Sequence, residues 1–398
     1  KEIYDSLPQY AQRIKALDNI DLRVERRLSP EVCHKLFGDS LYLSPSKIEV
    51  YNKCPLSYFC GYVLRLKRLQ KADLDSMQRG TIVHHVLEYV IKTLGNEFTT
   101  ATDEVLEKLV DEALQDYISS IEGYEYLNTP YFAFIYGEIG RSTKYLIKYI
   151  SKQFQNSDYV PSAFELDISD EGEIPSLVIK FANDKKAVLG GKIDRVDVYK
   201  APDGSELVRV VDYKTGSKAF HLSDVYYGQN LQMLLYLYML NSSEESKYKN
   251  MRPAGILYMP SKRGTVGISG GNPLMMNGMI LDDEDNIRAM DKSGSGKFIF
   301  KKSATGRIDN PVISAEDFDV IFKFINKTLI NTSKKIMEGN FDLAPLDGRD
   351  AQKGNACSYC DFKTVCAVED DFEHKQIEAG YPDEIIEKMK EALNNDLD

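Results

Sequence analysis

The chain contains no uninterrupted run of about 18 apolar residues, so no membrane-spanning helix is expected. Positive charge is short: 50 Lys and Arg stand against 61 Asp and Glu, a formal net charge of −11. That balance argues against a protein that coats nucleic acid through bulk charge. It leaves room for a site that holds divalent cations, which must itself be acidic, and any basic track is then local. Arg65, Lys67, Arg68 and Lys71 form one candidate track, and Lys297, Lys301, Lys302 and Arg307 another; a solvated face is the ordinary reading of each. Cysteine is sparse, six in 398 residues, which excludes a secreted disulfide scaffold. The opening residues Lys1-Glu2-Ile3-Tyr4-Asp5 lack a starting Met and an apolar signal core. A fragment of a longer chain is therefore expected, in the cytoplasm. Internal repeats, low-complexity linkers and a His-Glu-x-x-His zinc-protease pattern are absent. Gly294-Ser295-Gly296-Lys297-Phe298 lacks the upstream Gly and the following Ser or Thr of a phosphate loop, so no ATP hydrolysis is expected.

What is present has the composition of a soluble globular protein, 43% apolar and 28% charged. Residues 1–42 form a helical lead-in. Ser44-Pro45 starts a helix that carries Ile48, Val50 and Tyr51 and is interrupted at Cys54-Pro55. Apolar spacings of three and four predict helices over about 74–94, 103–121 and 130–155. Short runs rich in Val, Ile and Leu then predict a strand meander: Ala163–Ile168, Leu177–Phe181, Ala187–Tyr199 and Leu207–Lys214. Asn183-Asp184 and Asp203-Gly204 supply turns between them. A helix over about 222–241 and a strand at Gly255–Met259 follow. Residues 261–310 are rich in Gly, Ser and Met and read as an insertion with short strands near 278–282 and 297–301. A helix over about 315–338 leads to the late cysteines, and 371–398 is an acidic helical tail. The order of elements indicates α/β or mixed α+β architecture, with one main domain over 43–370.

The chemistry concentrates in Gly191-Lys192-Ile193-Asp194-Arg195 and Asp212-Tyr213-Lys214, on strands separated by the Asp203-Gly204 turn. Adjacent antiparallel strands bring two aspartates within reach of one cation. Residues two apart on a strand share a face, so Asp212 and Lys214 project together. The apolar run Val208, Val210 and Val211 marks the strand as buried, where an Asp and a Lys are costly unless paired or metal-bound. Two carboxylates suit Mg²⁺ or Mn²⁺, which lowers the pKa of a bound water and screens a phosphodiester. Lys214 would orient or help deprotonate that water, or stabilise charge growing on phosphorus. A salt-bridged hairpin produces the same bare pattern. His84 adds weight to the metal reading: it lies on a predicted helix, with Glu88 four residues on to hold its ring. Gln232 and Tyr236, four apart on the helix after the site strand, are candidates to meet a DNA phosphate or to support the site.

Cys357-x₂-Cys360-x₅-Cys366 is a compact thiolate group, and Cys54 completes a set of four from the other end of the chain. Four thiolates suit an iron–sulfur cluster or structural zinc. A single Cys-x₂-Cys knuckle, where zinc ribbons show two, favours [4Fe–4S]. Cys60 is a rival early ligand and Cys33 a bystander. Such a site joins residues about 300 apart as a staple, with little need for redox chemistry, and its loss should loosen both ends.

Taken together, Leu43–Tyr51 with Cys54-Pro55 and Tyr58-Phe59, Gly80–Glu88, Gly191–Asp197, Val211–Gly216, Gln232–Tyr236 and Ala356–Cys366 resemble, in order, the C-terminal nuclease region of AddB-type subunits of bacterial AddAB helicase–nucleases. These belong to the RecB-like branch of the PD-(D/E)XK superfamily. The resemblance implies a restriction-endonuclease-like core, a central mixed sheet flanked by helices. It implies a Mg²⁺- or Mn²⁺-dependent DNA exonuclease with His84, Asp194, Asp212 and the Tyr213 carbonyl as metal ligands and Lys214 as catalytic lysine. It implies a [4Fe–4S] cluster on Cys54, Cys357, Cys360 and Cys366, needed for fold integrity and DNA-end binding. The implied partners are DNA and an AddA-type helicase–nuclease subunit, and the implied process is recombinational repair of double-strand breaks. A free-standing Cas4-like exonuclease, a catalytically dead DNA-end-binding scaffold and a zinc-stapled binding module are the alternatives.

Overall fold

The computed structural model describes residues 27–67, 76–120, 129–181, 184–214, 219–261, 274–294, 298, 311–349, 355–366 and 372–395. Most of the lead-in, the predicted 297–301 strand except Phe298, Asn183, Gly216, Arg68, Lys71, Lys297, Lys301, Lys302 and Arg307 lie outside these residues.

In chain order, α1 spans Pro30–Phe37, β1 Ser40–Leu43 and α2 Pro45–Lys53. The Ser44 side chain accepts the Lys47 amide and caps α2, with Pro45 in the first turn, where its missing N–H costs nothing. Three long helices follow: α3 at Ser76–Leu94, α4 at Asp103–Ser120 and α5 at Pro130–Gln155. The strands β2 Val160–Ile168, β3 Leu177–Lys180, β4 Lys186–Leu189, β5 Gly191–Lys200 and β6 Glu206–Lys214 come next. Then α6 Leu222–Tyr226, α7 Gln232–Ser242, β7 Arg252–Pro260, β8 Asn277–Leu281, α8 Glu284–Met290, β9 Val312–Ile313 and α9 Ala315–Met337 complete the main body. The remainder is β10 Leu346–Asp347, β11 Lys375–Gln376 and α10 Pro382–Asn394.

The central sheet has the order β2-β5-β6-β7-β8-β9. β5 pairs antiparallel with both β2 and β6, whereas β6 pairs parallel with β7, so the sheet is mixed as expected. β1, β4 and β3 form a separate small sheet. The run expected as one strand over Ala187–Tyr199 is therefore two, divided at Gly190-Gly191 and belonging to different sheets. The helix expected over 222–241 is likewise two. Gly228 and Asn230 have φ of 73° and 57°, a left-handed backbone that ends α6 before α7 begins. Part of the 261–310 stretch is a sheet strand, β8, paired antiparallel to β7.

The core sits between the sheet and its helices. β6 shows continuous burial from Leu207 to Tyr213, as a strand covered on both faces must. Its core includes Arg195, Asp197 and Arg209, all with no exposed surface. Asp197 pairs with Arg195 at 3.0 Å and with Arg209 at 2.9 Å, and Arg209 lies 4.1 Å over the Tyr159 ring. Arg195 also donates to the Tyr213 hydroxyl at 3.0 Å, which clamps the end of β6 from behind.

Candidate metal-dependent active site

The site forms where the ends of β2, β5 and β6 meet α3 and α7. Leu166 pairs with Ile193 and Phe164 with Arg195, which sets Glu165 across from Asp194. Arg195 pairs with Val211, which sets Asp194 across from Asp212 one step further on. Three carboxylates thus stand in a row over three neighbouring strands. Like charges opposite one another destabilise a sheet unless cations sit among them. Lys192 meets Glu165 at 2.9 Å, and Lys214 meets Asp212 at 2.7 Å. His84 lies between the other carboxylates, its Nδ1 3.4 Å from Glu165 Oε1 and 3.5 Å from Asp194 Oδ1.

The two expected aspartates and the histidine are brought together, but not as a set of three equivalent ligands. Among the described residues, the group of His, Cys, Asp and Glu atoms lying mutually within 4.8 Å is His84, Glu165 and Asp194. Asp212 is not a member of that group. Its charge still acts on Asp194, whose pKa is pushed up to about 7, first by burial and then by Asp212. Burial opposes the charge on His84, yet its hydrogen bond to Glu165 and the charges of Asp194 and Glu165 outweigh burial and lift its pKa to about 9. Without a cation, protons occupy this site.

The backbone of Tyr213 joins the two strands chemically. Its amide donates to Asp194 Oδ2 at 2.8 Å, and its carbonyl lies 3.1 Å from His84 Nε2. Buried Asp212 Oδ2 accepts no hydrogen bond with proper geometry, although the Lys214 ammonium is close. Carboxylates, a backbone carbonyl and an imidazole are a donor set suited to Mg²⁺ or Mn²⁺. That donor set, with Asp194 and Asp212 facing each other across β5 and β6 and Lys214 alongside, fits such an ion.

Glu165 was not expected. The expectation for Glu88 is corrected: its carboxylate pairs with Lys92 at 2.6 Å, and Glu165 faces His84 instead. A helix spacing of four brings two side chains to one face, but the sheet under that face decides which acid meets the imidazole. Glu165 has φ 49°, an uncommon value for this residue type that turns it within β2, and no periodicity announces it.

Gln232 and Tyr236 face inward. Gln232 Oε1 accepts from Lys214 Nζ at 3.3 Å, and its Nε2 donates to Asp212 Oδ1 at 3.4 Å. The Tyr236 hydroxyl is 3.5 Å from that same Nε2, and its ring packs on Gly191. A Cβ at position 191 would lie 2.8 Å from the ring, which is the local reason for glycine there. These contacts tie both residues to the Asp212–Lys214 pair.

At the other side of α2, Cys54, Cys357, Cys360 and Cys366 line one cavity of about 670 Å³. Burial, then the neighbouring Cys54, Cys360 and Cys366, push the Cys357 thiol up to about 11. Buried Cys60 is not among the lining residues, and Cys33 lies elsewhere, against the Leu28 carbonyl. His374, which drew no attention in the sequence, places Nε2 3.7 Å from Cys357 Sγ and holds Asp347 with Nδ1 at 2.8 Å.

A mixed sheet that gathers acids, an imidazole and a lysine at the ends of adjacent strands defines a class of metal-dependent hydrolase. Residues 42–367 match the family model described as the PD-(D/E)XK nuclease superfamily, and the chain belongs to that superfamily. It is similar to the Alkaliphilus metalliredigens protein named as the B-subunit of an ATP-dependent helicase/deoxyribonuclease, 28% identical over 391 residues, covering 91% of this chain and 33% of that protein. The Clostridium tetani protein of the same name is 27% identical over 387 residues, with 91% and 33% covered. That of Thermoanaerobacter sp. is 27% identical over 419 residues, with 99% and 36% covered. The chain spans about a third of the length of these relatives.

Proposed function

We propose that the chain hydrolyses DNA phosphodiester bonds as a Mg²⁺- or Mn²⁺-dependent exonuclease. It acts as the nuclease domain of a cytoplasmic helicase–nuclease that processes double-strand break ends for recombinational repair, with an AddA-type helicase–nuclease as partner. The observation that carries this reading is the carboxylate row Glu165, Asp194 and Asp212, with His84 between the first two and Lys214 beside the third. His84, Asp194, Asp212 and the Tyr213 carbonyl would hold the ion, with Glu165 as a further oxygen donor or as the partner that orients His84. When bound, the ion lowers the pKa of water and screens the phosphodiester charge. Lys214 sits between Asp212 and Gln232, so its ammonium is aimed at the same edge of the sheet. It orients the attacking water and meets negative charge as it grows on phosphorus.

The cysteines are read as ligands of a [4Fe–4S] cluster. Thiols from both ends of the chain line one cavity, Cys54 with Cys357, Cys360 and Cys366, and four thiolates are the ligand set of such a cluster. Its part is structural: it ties residues before the nuclease sheet to residues after it.

The test compares wild type with Asp212→Ala on single-stranded DNA in Mg²⁺. Cleavage by wild type and its loss in the variant is the expected result. Equal cleavage rejects this assignment, and binding of DNA ends without cleavage in either favours a non-catalytic scaffold.

A further inference from the structure

α7 begins without a side-chain cap of its own. Its N-cap residue is Leu231, whose side chain accepts nothing. The first amides of a helix need acceptors when they leave water. Glu49, about 180 residues earlier on α2, supplies them: its Oε1 accepts the Leu231 amide at 2.7 Å and the Gln232 amide at 2.9 Å. The grip is wider than one carboxylate. Gln229 Nε2 donates to the Glu49 carbonyl at 2.8 Å, and Asn52 Nδ2 donates to the Gly228 carbonyl at 3.4 Å. A Cβ at Gly228 would meet Asn52 at 2.5 Å, so the two segments are in direct contact. Thr332 on α9 holds Asn52 from the other side at 3.1 Å.

We propose that Glu49 is a positioning residue for the cleavage reaction: by fixing the start of α7 it sets the Gln232 amide, and through it the Lys214 ammonium. The inference rests on the nuclease reading of the site. Gln232 is the first residue of α7, so its direction follows the first turn of the helix. Its amide works in two senses at once, accepting from Lys214 and donating to Asp212. Both contacts are long, and a modest rotation of the first turn breaks them. Lys214 would then relax onto Asp212 alone, whose two oxygens lie at 2.9 and 2.7 Å. An anionic cap at a helix N-terminus is favoured by the macrodipole as well as by its hydrogen bonds. Glu49 itself touches neither Lys214 nor Asp212 in this arrangement, so its effect passes through Gln232.

The experiment measures kcat and KM for cleavage of a single-stranded oligonucleotide by the full chain, with Glu49→Ala, Glu49→Asp, Glu49→Gln, Gln232→Ala and the double variant Glu49→Ala/Gln232→Ala. Misplacement near 1 Å lowers rates on the order of 10²-fold. Glu49→Ala should therefore lower kcat about 10- to 100-fold with KM little changed. Glu49→Asp, one methylene short of both amides, should fall similarly, and serves if the Ala variant does not fold. Glu49→Gln keeps an acceptor oxygen and should recover most of kcat. The double variant should be no slower than Gln232→Ala, since the two residues act in series. Losses that multiply in the double variant, or a Glu49→Gln variant as slow as Glu49→Ala, overturn the proposal. Amide hydrogen exchange over residues 229–236 separates this from the nuclease reading. If wild type does not cleave, faster exchange in Glu49→Ala or Glu49→Asp but not in Glu49→Gln still upholds the cap, and unchanged exchange in both overturns it.

Discussion

His84 stands between two acids, Glu165 and Asp194, and against the Tyr213 carbonyl. Each of these contacts favours a charged imidazole, and together they raise its pKa to about 9 against the opposing effect of burial. Asp194, raised to about 7 by burial and by Asp212, holds a proton below that pH. A cation must displace both. Below pH 7 binding releases two protons, and between 7 and 9 it releases the one on His84. Affinity for Mn²⁺, measured by titration calorimetry, is therefore expected to rise about tenfold per pH unit from 7 to 9 and more steeply below 7. In His84→Ala the steeper rise below 7 should fall to about tenfold per pH unit, since only the Asp194 proton is left to release. A pH-independent affinity in wild type would show that the imidazole is not at the ion. At this scale the sequence was partly legible. Asp194, Asp212 and Lys214 were readable because a strand alternates faces and the Asp203-Gly204 turn pairs two strands. Glu165 was not, because its place depends on the pairing of β2 with β5 and on its own left-handed backbone.

At the scale of elements, the site is an agreement between strand ends and the first turn of one helix. Gly191 opens β5 and lets the Tyr236 ring of α7 lie directly on the backbone. Gly191→Ala would drive a methyl into that ring, so α7 must shift away from β5. Cleavage should drop at least tenfold by the misplacement argument, with the cysteine site unaffected. Adding Tyr236→Ala should restore part of it; no rescue would mean that the glycine serves another contact. The helix pattern of apolar residues predicted α3, α4, α5 and α9 within a few residues, since each buries a continuous stripe. It joined α6 to α7 because apolar residues stand on both sides of Gly228-Gln229-Asn230, where Gly228 and Asn230 take the left-handed backbone that breaks the helix. It joined β4 to β5 for the same reason: both are apolar, and nothing local shows that they pair in different sheets.

Across the whole molecule, contacts of long sequence separation carry the architecture. α2 reaches the start of α7 through Glu49 and Asn52, α9 through Thr332, and the stretch after α9 through the Tyr51 hydroxyl, which donates to the Asn340 carbonyl at 2.7 Å. The same helix ends at Cys54, which lines a cavity with three cysteines some 300 positions later. On the cluster reading, loss of the bound group loosens α2 and, with it, the turn that precedes Gln232. Cys366→Ala should thus lower the thermal midpoint by several degrees, as expected for loss of a bound group from the folded state, while a short substrate is still cleaved at low temperature. An unchanged midpoint would contradict a stapling role. The spacing of the late cysteines drew attention to this cavity, whereas His374 and Asp347 were invisible, since their contacts form only once the chain has folded back on itself.

The central claim is that one divalent ion sits among His84, Asp194 and Asp212 beside Lys214. Pulsed electron paramagnetic resonance of the protein loaded with a single equivalent of Mn²⁺ tests it most directly. The account predicts an imidazole-nitrogen coupling in wild type that is lost in His84→Ala, and a bound signal that disappears in Asp194→Ala. A Mn²⁺ spectrum without nitrogen coupling, or one unchanged by both substitutions, would contradict it.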